Sequence, residues 1–485
     1  MGLMTANNVN EKDKTVIKGK EVSEYAFEYR DHLATINESG KRIWVFPKKP
    51  SGRFYNARTY LSWLLLIFLF GAPFIKIDGH PFMLFNFLER NFILFGIGFG
   101  PQDFHLFFLA MITLIVFIVL FTVVFGRVFC GWACPQTIFM EMVFRKIEYW
   151  IEGDAGQQRK LKASPWTTGK IFKKLSKNLI FFAIAFLIAN TFLAYIVGID
   201  ELYNIVTHPP SEHLTGFIAV VGISSAFYGV YAFFREQVCT VVCPYGRLQG
   251  VLLDPNTTLI AYDYVRGEPR GKIKKNTERE FGDCIDCRQC VDVCPTGIDI
   301  RNGTQLECVN CAACIDACDT VMDKIGFDRG LIRYDSENNI KTHSKKRFTG
   351  RVIAYSVVLT ILLIVLITLL VNRADVEVTI LRTPGMFFNE QPDGSISNVY
   401  NVRMVNKTFN DAAVELKLIG IDGQIKIAGK ETSVSPQESA ETKMIIMIDK
   451  NKLSSRNNEI KIGIYSKGEL IDEIETNFMG PGSRN

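Results

Sequence analysis

Long apolar runs, separated by charged segments, dominate the chain up to about residue 370. Five of them approach the length of about 20 residues that a helix needs to cross a bilayer. They predict transmembrane helices at Tyr60–Ile77, Phe104–Phe125, Leu179–Val197, Leu214–Phe234 and Val352–Val371. A sixth apolar stretch, 81–99, carries Glu89 and Arg90 at its centre. Because charges at mid-membrane are costly, we interpret it as an interfacial or re-entrant segment.

After the fifth run the pattern changes to alternation with a period of two. Apolar residues alternate with polar ones at 414–418 and again at 460–464, and Pro392-Asp393-Gly394 is one of the turn sequences between such runs. This pattern predicts an antiparallel β-sandwich of about 100 residues. The segment shows no cluster of metal ligands and no catalytic constellation, so we interpret it as a docking module.

The distribution of lysine and arginine predicts the topology. Both residues are frequent in 127–177 and 235–351 but scarce in 78–103 and 198–213. The positive-inside rule then places the N-terminus inside, with five crossings and the C-terminus outside. The formal net charge of only +5, with no basic and aromatic stripe, does not suggest nucleic-acid binding.

Twelve cysteines are the main chemical signal. All of them lie between Cys130 and Cys318, and every one belongs to a motif. The predicted topology puts them on the cytoplasmic side or at the inner membrane face. That compartment keeps thiols reduced, so ligation of a metal or a cluster is favoured over disulfides.

Two runs of four cysteines share one spacing, C-x2-C-x2-C-x3-C. This spacing is typical of ferredoxins with two 4Fe–4S clusters, in which the fourth cysteine of each run ligates the other cluster. It predicts cluster 1 at Cys284, Cys287, Cys290 and Cys318, and cluster 2 at Cys308, Cys311, Cys314 and Cys294. The alternative is zinc, but structural zinc sites use cysteine pairs separated by longer loops.

Two further pairs follow a C-x3-C-P pattern at the inner ends of the second and fourth predicted helices. They are Cys130 with Cys134, and Cys239 with Cys243. Cysteines four residues apart share a helix face, and the following proline favours a break in the helix. Their duplication suggests one functional site of soft thiolates, which favour Cu(I), zinc or iron–sulfur. The alternative is four inert buried cysteines, and the spacing leaves the occupant open.

These patterns predict a helical membrane protein with a cytoplasmic ferredoxin-like domain that holds two 4Fe–4S clusters. The expected parts are a cytoplasmic N-terminal arm at 1–58, a membrane region with four helices and two C-x3-C-P motifs at 59–250, the ferredoxin domain at 251–350, the fifth helix at 351–372 and a periplasmic β-sandwich at 373–485.

Four histidines fall on or near the predicted outer face: His80, His105, His208 and His213. Two of them could ligate haem or copper, although isolated histidines are more often surface or capping residues. His105 lies two residues after Asp103, and these two side chains are the pair worth testing for metal binding.

At this point the motifs resemble those of the cytochrome oxidase accessory protein family called CcoG, FixG or RdxA. The resemblance rests on GRVFCGWACPQT at 126–137, REQVCTVVCPYGRLQ at 235–249, YDYVRGEPRG at 262–271 and the eight-cysteine stretch at 282–319. It also covers the five-span layout and a C-terminal immunoglobulin-like domain. The two C-x3-C-P pairs alone are similar to those of the NapH and NosR membrane ferredoxins as well.

This resemblance implies a bacterial inner-membrane protein that helps to assemble a cbb3-type cytochrome oxidase, by reducing Cu(II) to Cu(I) for insertion. The implied partners are oxidase subunits or copper-delivery proteins, and copper would be a further bound metal. Cys130, Cys134, Cys239 and Cys243 would be the copper or electron-relay site. Copper enters only through the resemblance.

Two other functions fit the residues. The chain could conduct electrons from quinol to a periplasmic reductase, although it lacks the C-x-x-C-H haem-attachment motif. It could also be a scaffold or redox sensor whose clusters are structural. Replacing Cys287 with serine discriminates, since a scaffold would still fold and support the oxidase.

Overall fold

The apolar runs fold as helices, which satisfy their own backbone hydrogen bonds and so can cross a bilayer. The computed structural model describes residues 35, 36, 39, 41–87, 91–272, 281–343, 349–385, 387–428, 433–466 and 468–481. In that part of the chain, five helices are long and apolar enough to cross, as predicted. Numbered as spans 1 to 5, they are Arg53–Phe74, Pro101–Phe125, Thr168–Val197, Leu214–Phe234 and Gly350–Val371. The chain is therefore a multi-pass membrane protein.

Spans 1 and 3 begin earlier than their hydropathy predicts, at Arg53 rather than Tyr60 and at Thr168 rather than Leu179. The added turns of span 3 carry lysines that pair with glutamates of the preceding segment, such as Lys174 with Glu152 at 2.8 Å. Ion pairs stabilise these turns. Their charged residues also lower the mean hydropathy, so a hydropathy pattern does not assign the turns to a membrane helix.

The predicted N-terminal arm is partly ordered. The Lys48 amide donates to the Asp292 carbonyl at 2.7 Å, and the Tyr149 hydroxyl donates to the Pro47 carbonyl at 3.1 Å. Residues 41–52 thus contact other segments, and the helix of span 1 begins inside the predicted arm, at Arg53. Residues 1–34 lie outside the described part of the chain.

Shorter helices connect and follow the spans. The α-helices are Val128–Trp132, Pro135–Thr137, Arg145–Ile151, Ala155–Ala163, Ile199–Thr207, Pro244–Leu252, Tyr264–Gly267, Gln289–Asp292, Ala313–Ile325 and Glu337–Thr342. Ile138–Phe144, Val230–Phe234 and Val238–Val242 are π-helical, and Ala72–Phe74, Pro101–Asp103, Ile300–Asn302 and Lys450–Lys452 are 3-10 turns. Span 2 ends where Gly126 adopts a φ of 57°, a left-handed conformation that glycine reaches without steric cost.

The sixth apolar stretch folds as short strands and not as a membrane helix. The strands in this stretch and just before it are β1 Lys76–Ile77, β2 His80–Pro81, β3 Met83–Asn86, β4 Asn91–Leu94 and β5 Ile97–Phe99. Lys76 and Ile77 were predicted as the end of the first helix, which instead ends at Phe74. β1 pairs with β2, and β3, β4 and β5 form an antiparallel sheet in that order. Glu89 and Arg90, on which our interpretation depended, lie outside the described residues.

By its contacts the chain divides into two units. Unit 1 comprises Met1–Gly71, Met111–Leu193 and Tyr203–Leu362, and unit 2 comprises Ala72–Ala110, Ala194–Leu202 and Leu363–Asn485. Unit 1 holds all twelve cysteines. Its cysteine-rich part is closed by strand β6, Leu259–Tyr262, which pairs antiparallel with β7, Ile332–Asp335. Side chains from both strands pack with Ile315 and Met322 against the cysteines.

Unit 2 contains the predicted antiparallel β-sandwich. Its strands are β8 Val376–Arg382, β9 Asn389–Glu390, β10 Ser395–Asn406, β11 Ala412–Ile419, β12 Gly423–Ala428, β13 Ser433–Val434, β14 Ser439–Asp449, β15 Asn457–Ser466 and β16 Glu469–Met479. One sheet has the order β12-β14-β10-β8, with β9 beside β10, and the other has the order β13-β11-β15-β16. Residues that alternate along β11 and β15, such as Val414 and Ile462, are fully buried between the sheets, which confirms the period-two prediction.

Candidate metal centres

The two four-cysteine runs form loops with the same backbone conformation. In the first loop Asp286 and Arg288 have φ angles of 54° and 56°, and in the second Asn310 and Ala312 have 53° and 63°. None of these residues is glycine, so each left-handed conformation costs roughly 1–2 kcal/mol. Such alternation turns successive backbone N–H groups to one side, and this arrangement is found around many iron–sulfur sites.

Each loop borders a small, partly open cavity. Cavity A is lined by Cys284, Cys287, Cys290 and Cys318. Cavity B is lined by Cys294, Cys308, Cys311 and Cys314, with Cys290 on its wall as well. Each loop therefore meets the fourth cysteine of the other run, which is the grouping that the spacing predicts.

The thiols around the two cavities do not form a preformed site for a single ion. In the described part of the chain, no three His, Cys, Asp or Glu side chains converge on a point where one metal ion could bind. A structural zinc needs four ligands at about 2.3 Å. Four thiols around each cavity fit a multi-iron cluster better, which argues against the zinc alternative.

Burial makes these thiols poor acids. It raises the pKa of Cys290 and of Cys308 to about 12, and that of Cys311 to about 11, from an ordinary value of 9.0. A thiol with such a pKa keeps its proton at neutral pH unless a cation replaces it. Iron bound in these cavities would replace those protons, and its positive charge would stabilise the thiolates.

The two C-x3-C-P motifs also repeat one backbone conformation. Cys134 and Cys243, which precede the prolines, are extended, with ψ angles of 123° and 111°. Their amides donate to the carbonyls five residues earlier, at 2.9 and 2.7 Å. The expected break before each proline is confirmed, and the second cysteine of each pair leaves the helix axis.

Cys130, Cys134, Cys239 and Cys243 form one loose group, called here the membrane-face thiols. Burial, followed by repulsion from the other thiolates of the group, raises the pKa of Cys130 to about 11 and that of Cys239 to about 12. The Cys130 thiol donates to Gln249 Oε1 at 3.1 Å. The two pairs lie at helix breaks and not in a loop that surrounds a space, so the group is an open site.

The first C-x3-C-P motif packs directly on the loop of cavity B. Trp132 Nε1 donates to the Asn310 carbonyl at 3.2 Å, and the Tyr334 hydroxyl donates to the same carbonyl at 2.8 Å. Gly131 has no room for a side chain, because a Cβ there would lie 2.3 Å from the Val309 carbonyl oxygen. A membrane-face thiol and a cavity B thiol are thus carried on touching segments.

A third small, partly open cavity lies between cavity B and the second motif. We call it cavity C. Cys239 lines it on one side, and Pro295, Thr296 and Val309 line both it and cavity B. The buried Gln136 Nε2 atom, on a residue that lines this cavity, has no hydrogen-bond partner in the described part of the chain. An unpaired buried polar atom indicates a space that accommodates water or a polar guest.

Known proteins share this arrangement of motifs. Protein RdxA of Cereibacter sphaeroides is 35% identical, over 79% of this chain and 83% of its own length. Nitrogen fixation protein FixG of Rhizobium meliloti is 31% identical, over 91% of this chain and 94% of its own. This chain belongs to the FixG/RdxA family. A family model described as the Ig-like fold at the C-terminal of FixG matches residues 366–481.

Two iron–sulfur family models match the segments that carry the cysteines of this FixG/RdxA protein. A 4Fe-4S dicluster domain matches residues 234–337, and a 4Fe-4S binding domain matches residues 107–154. The first match includes Cys239 and Cys243 beside the ferredoxin runs, and the second includes Cys130 and Cys134. The protein is therefore a membrane protein of the 4Fe–4S electron-transfer class.

Sequence reasoning missed the ion pairs that hold the second motif. Arg235 Nη1 and Nη2 donate to the two carboxylate oxygens of Glu148 at 3.0 and 2.7 Å, and both side chains are at most 4% exposed. Lys177 adds a contact at 3.5 Å. The available signal was the arginine that stands shortly before each cysteine pair, Arg127 and Arg235.

The candidate Asp103–His105 pair does not form a metal site. Asp103 is 1% exposed, and its carboxylate oxygens accept from Arg373 at 2.8 Å and from Lys407 at 2.9 Å. His105 is exposed. With its carboxylate committed to two cations, Asp103 acts as a structural ion-pair residue within unit 2.

Proposed function

We propose that this FixG/RdxA-family protein reduces Cu(II) to Cu(I) for the assembly of a cbb3-type cytochrome oxidase. The supporting observation is the contact of the Cys130–Cys134 segment with the loop of cavity B, through Trp132, Gly131 and Asn310. This contact brings soft thiolates, which favour Cu(I), next to the redox-active part of the chain.

The cofactors of this proposal are two 4Fe–4S clusters. When bound, each supplies a one-electron couple. Cluster 1 would be held by Cys284, Cys287, Cys290 and Cys318, and cluster 2 by Cys294, Cys308, Cys311 and Cys314. The matched loops, the two cavities and the absence of a convergent single-ion site among the described residues support this assignment.

The exposure of the thiols supports a direction for electron flow, from cavity A to cavity B. Cys287, in cavity A, is exposed, whereas the four thiols special to cavity B are at least partly covered. A cytoplasmic or quinol donor would therefore approach cavity A. Each Cu(II) ion accepts one electron from that donor and leaves as Cu(I).

The membrane-face thiols are proposed to bind copper as the substrate. The two pairs lie at helix breaks, without the left-handed loops that surround cavities A and B, so this group is open. An open set of thiolates suits an ion that must be released to another protein. Oxidase subunits or copper-delivery proteins are the proposed receivers.

The lysine and arginine distribution supports a location in the bacterial inner membrane, with the ferredoxin part in the cytoplasm and the β-sandwich in the periplasm. The same orientation puts the membrane-face thiols at the inner face. The sandwich would then be a docking module for periplasmic assembly partners.

The decisive experiment is copper reduction by the purified, chemically reduced full-length protein, followed with a chromogenic Cu(I) chelator. The double variant Cys134→Ser with Cys243→Ser should bind Cu(I) at least tenfold more weakly and reduce Cu(II) much more slowly, because it loses one soft ligand from each pair. Val241→Ser, in the same turn as Cys239, is the matched control and should behave like the wild type. Unchanged copper binding and reduction in the double variant would refute the proposed site.

A further inference from the structure

Different charges surround cavities A and B. Beside cavity A, Arg301 donates to Asp299 at 2.6 and 2.8 Å and to Asp286 at 2.6 Å, so its charge is balanced. Arg288 also lines cavity A but is exposed, and water screens its charge. Asp319, adjacent to Cys318 in sequence, adds a buried carboxylate.

Two buried arginines lie near the thiols of cavity B without lining the cavity itself, Arg127 near Cys308 and Arg58 near Cys311. Arg58 is 3% exposed, and its Nε and Nη2 atoms have no hydrogen-bond partner. Arg127 is 6% exposed, donates from Nη1 to the Leu306 carbonyl, and has an unpaired Nε. In the described part of the chain, neither guanidinium has a carboxylate within ion-pair distance.

The fold brings both arginines to the thiols of cavity B. Leu306, which holds Arg127, precedes Cys308 by two residues. The start of span 1 is tied to the helix that carries Cys314, since the amides of Phe54 and Tyr55 donate to Asp316 at 3.1 and 2.8 Å. Burial has the largest effect on the pKa of Cys311, and the next largest is that of Arg58, which lowers this pKa.

Carboxylates near cavity B do not pair with either arginine in the described part of the chain. The buried Glu307 and Asp316 lie beside Cys308 and Cys314 in sequence, and Asp316 accepts from the amides of Phe54 and Tyr55. Glu141 also acts on Cys311, but its carboxylate accepts from Arg145 at 3.0 and 2.9 Å. A buried cation without a partner is costly, so the native state needs an anion close to Arg58 and Arg127. A 4Fe–4S cluster with four thiolate ligands carries a net negative charge, which increases on reduction.

We propose that Arg58 and Arg127 raise the reduction potential of the cluster site in cavity B above that of cavity A. A nearby cation favours the more negative, reduced form, and the effect is strong where water does not screen it. The inference rests on the proposed function and adds a driving force for its direction of electron flow. Electrons collect in cavity B, on the side of the membrane-face thiols. Both arginines are positioning residues that act through charge.

The test is an EPR-monitored redox titration of the full-length protein under anaerobic conditions. Cys287→Ser and Cys311→Ser, one ligand from each group, assign the two signals. Arg58→Gln with Arg127→Gln should lower the reduction equilibrium constant of the cavity B signal about tenfold or more, which is 59 mV for a one-electron couple. The cavity A signal should stay within a third of that shift.

Controls separate charge from structure. Arg58→Lys and Arg127→Lys keep the charge and should retain most of the wild-type potential. Arg53→Gln removes an exposed arginine that pairs with Asp319 at 3.4 Å, and it should leave the cavity B signal unchanged.

Each outcome decides something. A wild type without two cluster signals overturns the proposed function itself. Two signals with the higher potential in cavity A, or with potentials that the glutamine variants do not move, overturn only the inference. If the double variant loses iron, the single glutamine variants replace it, and each must shift the cavity B signal in the same direction.

Discussion

The cysteines of cavities A and B and the membrane-face thiols both come from duplicated motifs, yet the protein holds them in different ways. Around the cavities, the loop backbone itself shapes the site through left-handed residues such as Asp286 and Asn310. At the membrane face, prolines break the helices, and side chains from distant segments fix the motifs, as Glu148 does for Arg235.

This difference shows how cysteine spacing selects a kind of site. Two intervening residues let a loop wrap a cavity, and a cysteine from the other run closes it. Three intervening residues and a proline place one thiol on a helix and the other at the break that follows, and this leaves the site open. A closed site suits a resident cofactor, and an open one suits an ion in transit.

The largest expected effect is a difference in iron content between a variant of the cavity thiols and a variant of the membrane-face thiols. Cys311→Ser should lose about half of the iron and nearly all copper reduction, because it removes a ligand of one of two clusters. Cys134→Ser should keep the full iron content and lose copper binding. Iron analysis and acid-labile sulfide measure the first property, and Cu(I) titration measures the second.

An iron loss in Cys134→Ser equal to that in Cys311→Ser would erase the comparison, since the membrane-face thiols would then hold a cluster as well. Full copper reduction in Cys311→Ser would favour the scaffold alternative for the clusters.

The second prediction concerns the ion pair behind the second motif. Glu148→Gln should lower the free energy of unfolding by about 3 kcal/mol at pH 7, because it removes the two-point ion pair of the buried Arg235 and leaves only the Glu236 carboxylate, at 3.8 Å, as its counter-charge. Copper reduction should fall while the iron content stays. Thermal unfolding in detergent measures the stability, and Glu337→Gln, at an exposed pair with Lys341, is the matched control with little effect.

The same variant has a defined pH dependence. Burial would raise the pKa of Glu148, but Arg235, Lys177 and Arg145 outweigh it and hold the pKa below the ordinary 4.5. The stabilisation is therefore present above about pH 4.5 and is lost as the pH falls through the folded-state value. The difference between wild type and Glu148→Gln should shrink with acidification; a difference that grows would contradict the pairing.

The third and smallest effect tests the contact between the two sets. Gly131→Ala should cost about 2 kcal/mol, because its Cβ would meet the Val309 carbonyl oxygen at 2.3 Å and push the segments apart. Gly222→Ala, in span 4 with no atom within 4 Å of the new Cβ, is the control and should be neutral or slightly stabilising. Copper reduction should slow in Gly131→Ala alone. Equal rates in both variants would show that the contact plays no part in electron delivery.

Much of this architecture follows from local pattern. The number of spans, the β-sandwich and the grouping of the eight ferredoxin cysteines depend on hydropathy, alternation and spacing, which are all readable along the chain. The extended conformation of Cys134 and Cys243 follows from the proline after each of them.

What the sequence could not predict depends on partners far apart in the chain. The charged first turns of span 3 have the sequence pattern of a loop. They are helical because Lys174 and Lys177 form ion pairs with Glu152, which precedes the span. Arg58 reads as part of a cytoplasmic arm, and only the packing of span 1 on the Ala313–Ile325 helix shows that it is buried near the thiols of cavity B. The strands in 81–99 were hidden because a short apolar run has the same composition in a strand, a helix or a re-entrant loop.

The crossed grouping of the cysteines also constrains how the protein matures. Every thiol special to cavity B lies between Cys290 and Cys318, so one site is nested inside the other along the chain. During synthesis, cavity B has its full set of thiols once Cys314 has emerged from the ribosome, before cavity A receives its last one. A chain cut between the two runs would leave neither site complete, so the two halves of this duplication can no longer be inherited or lost one at a time.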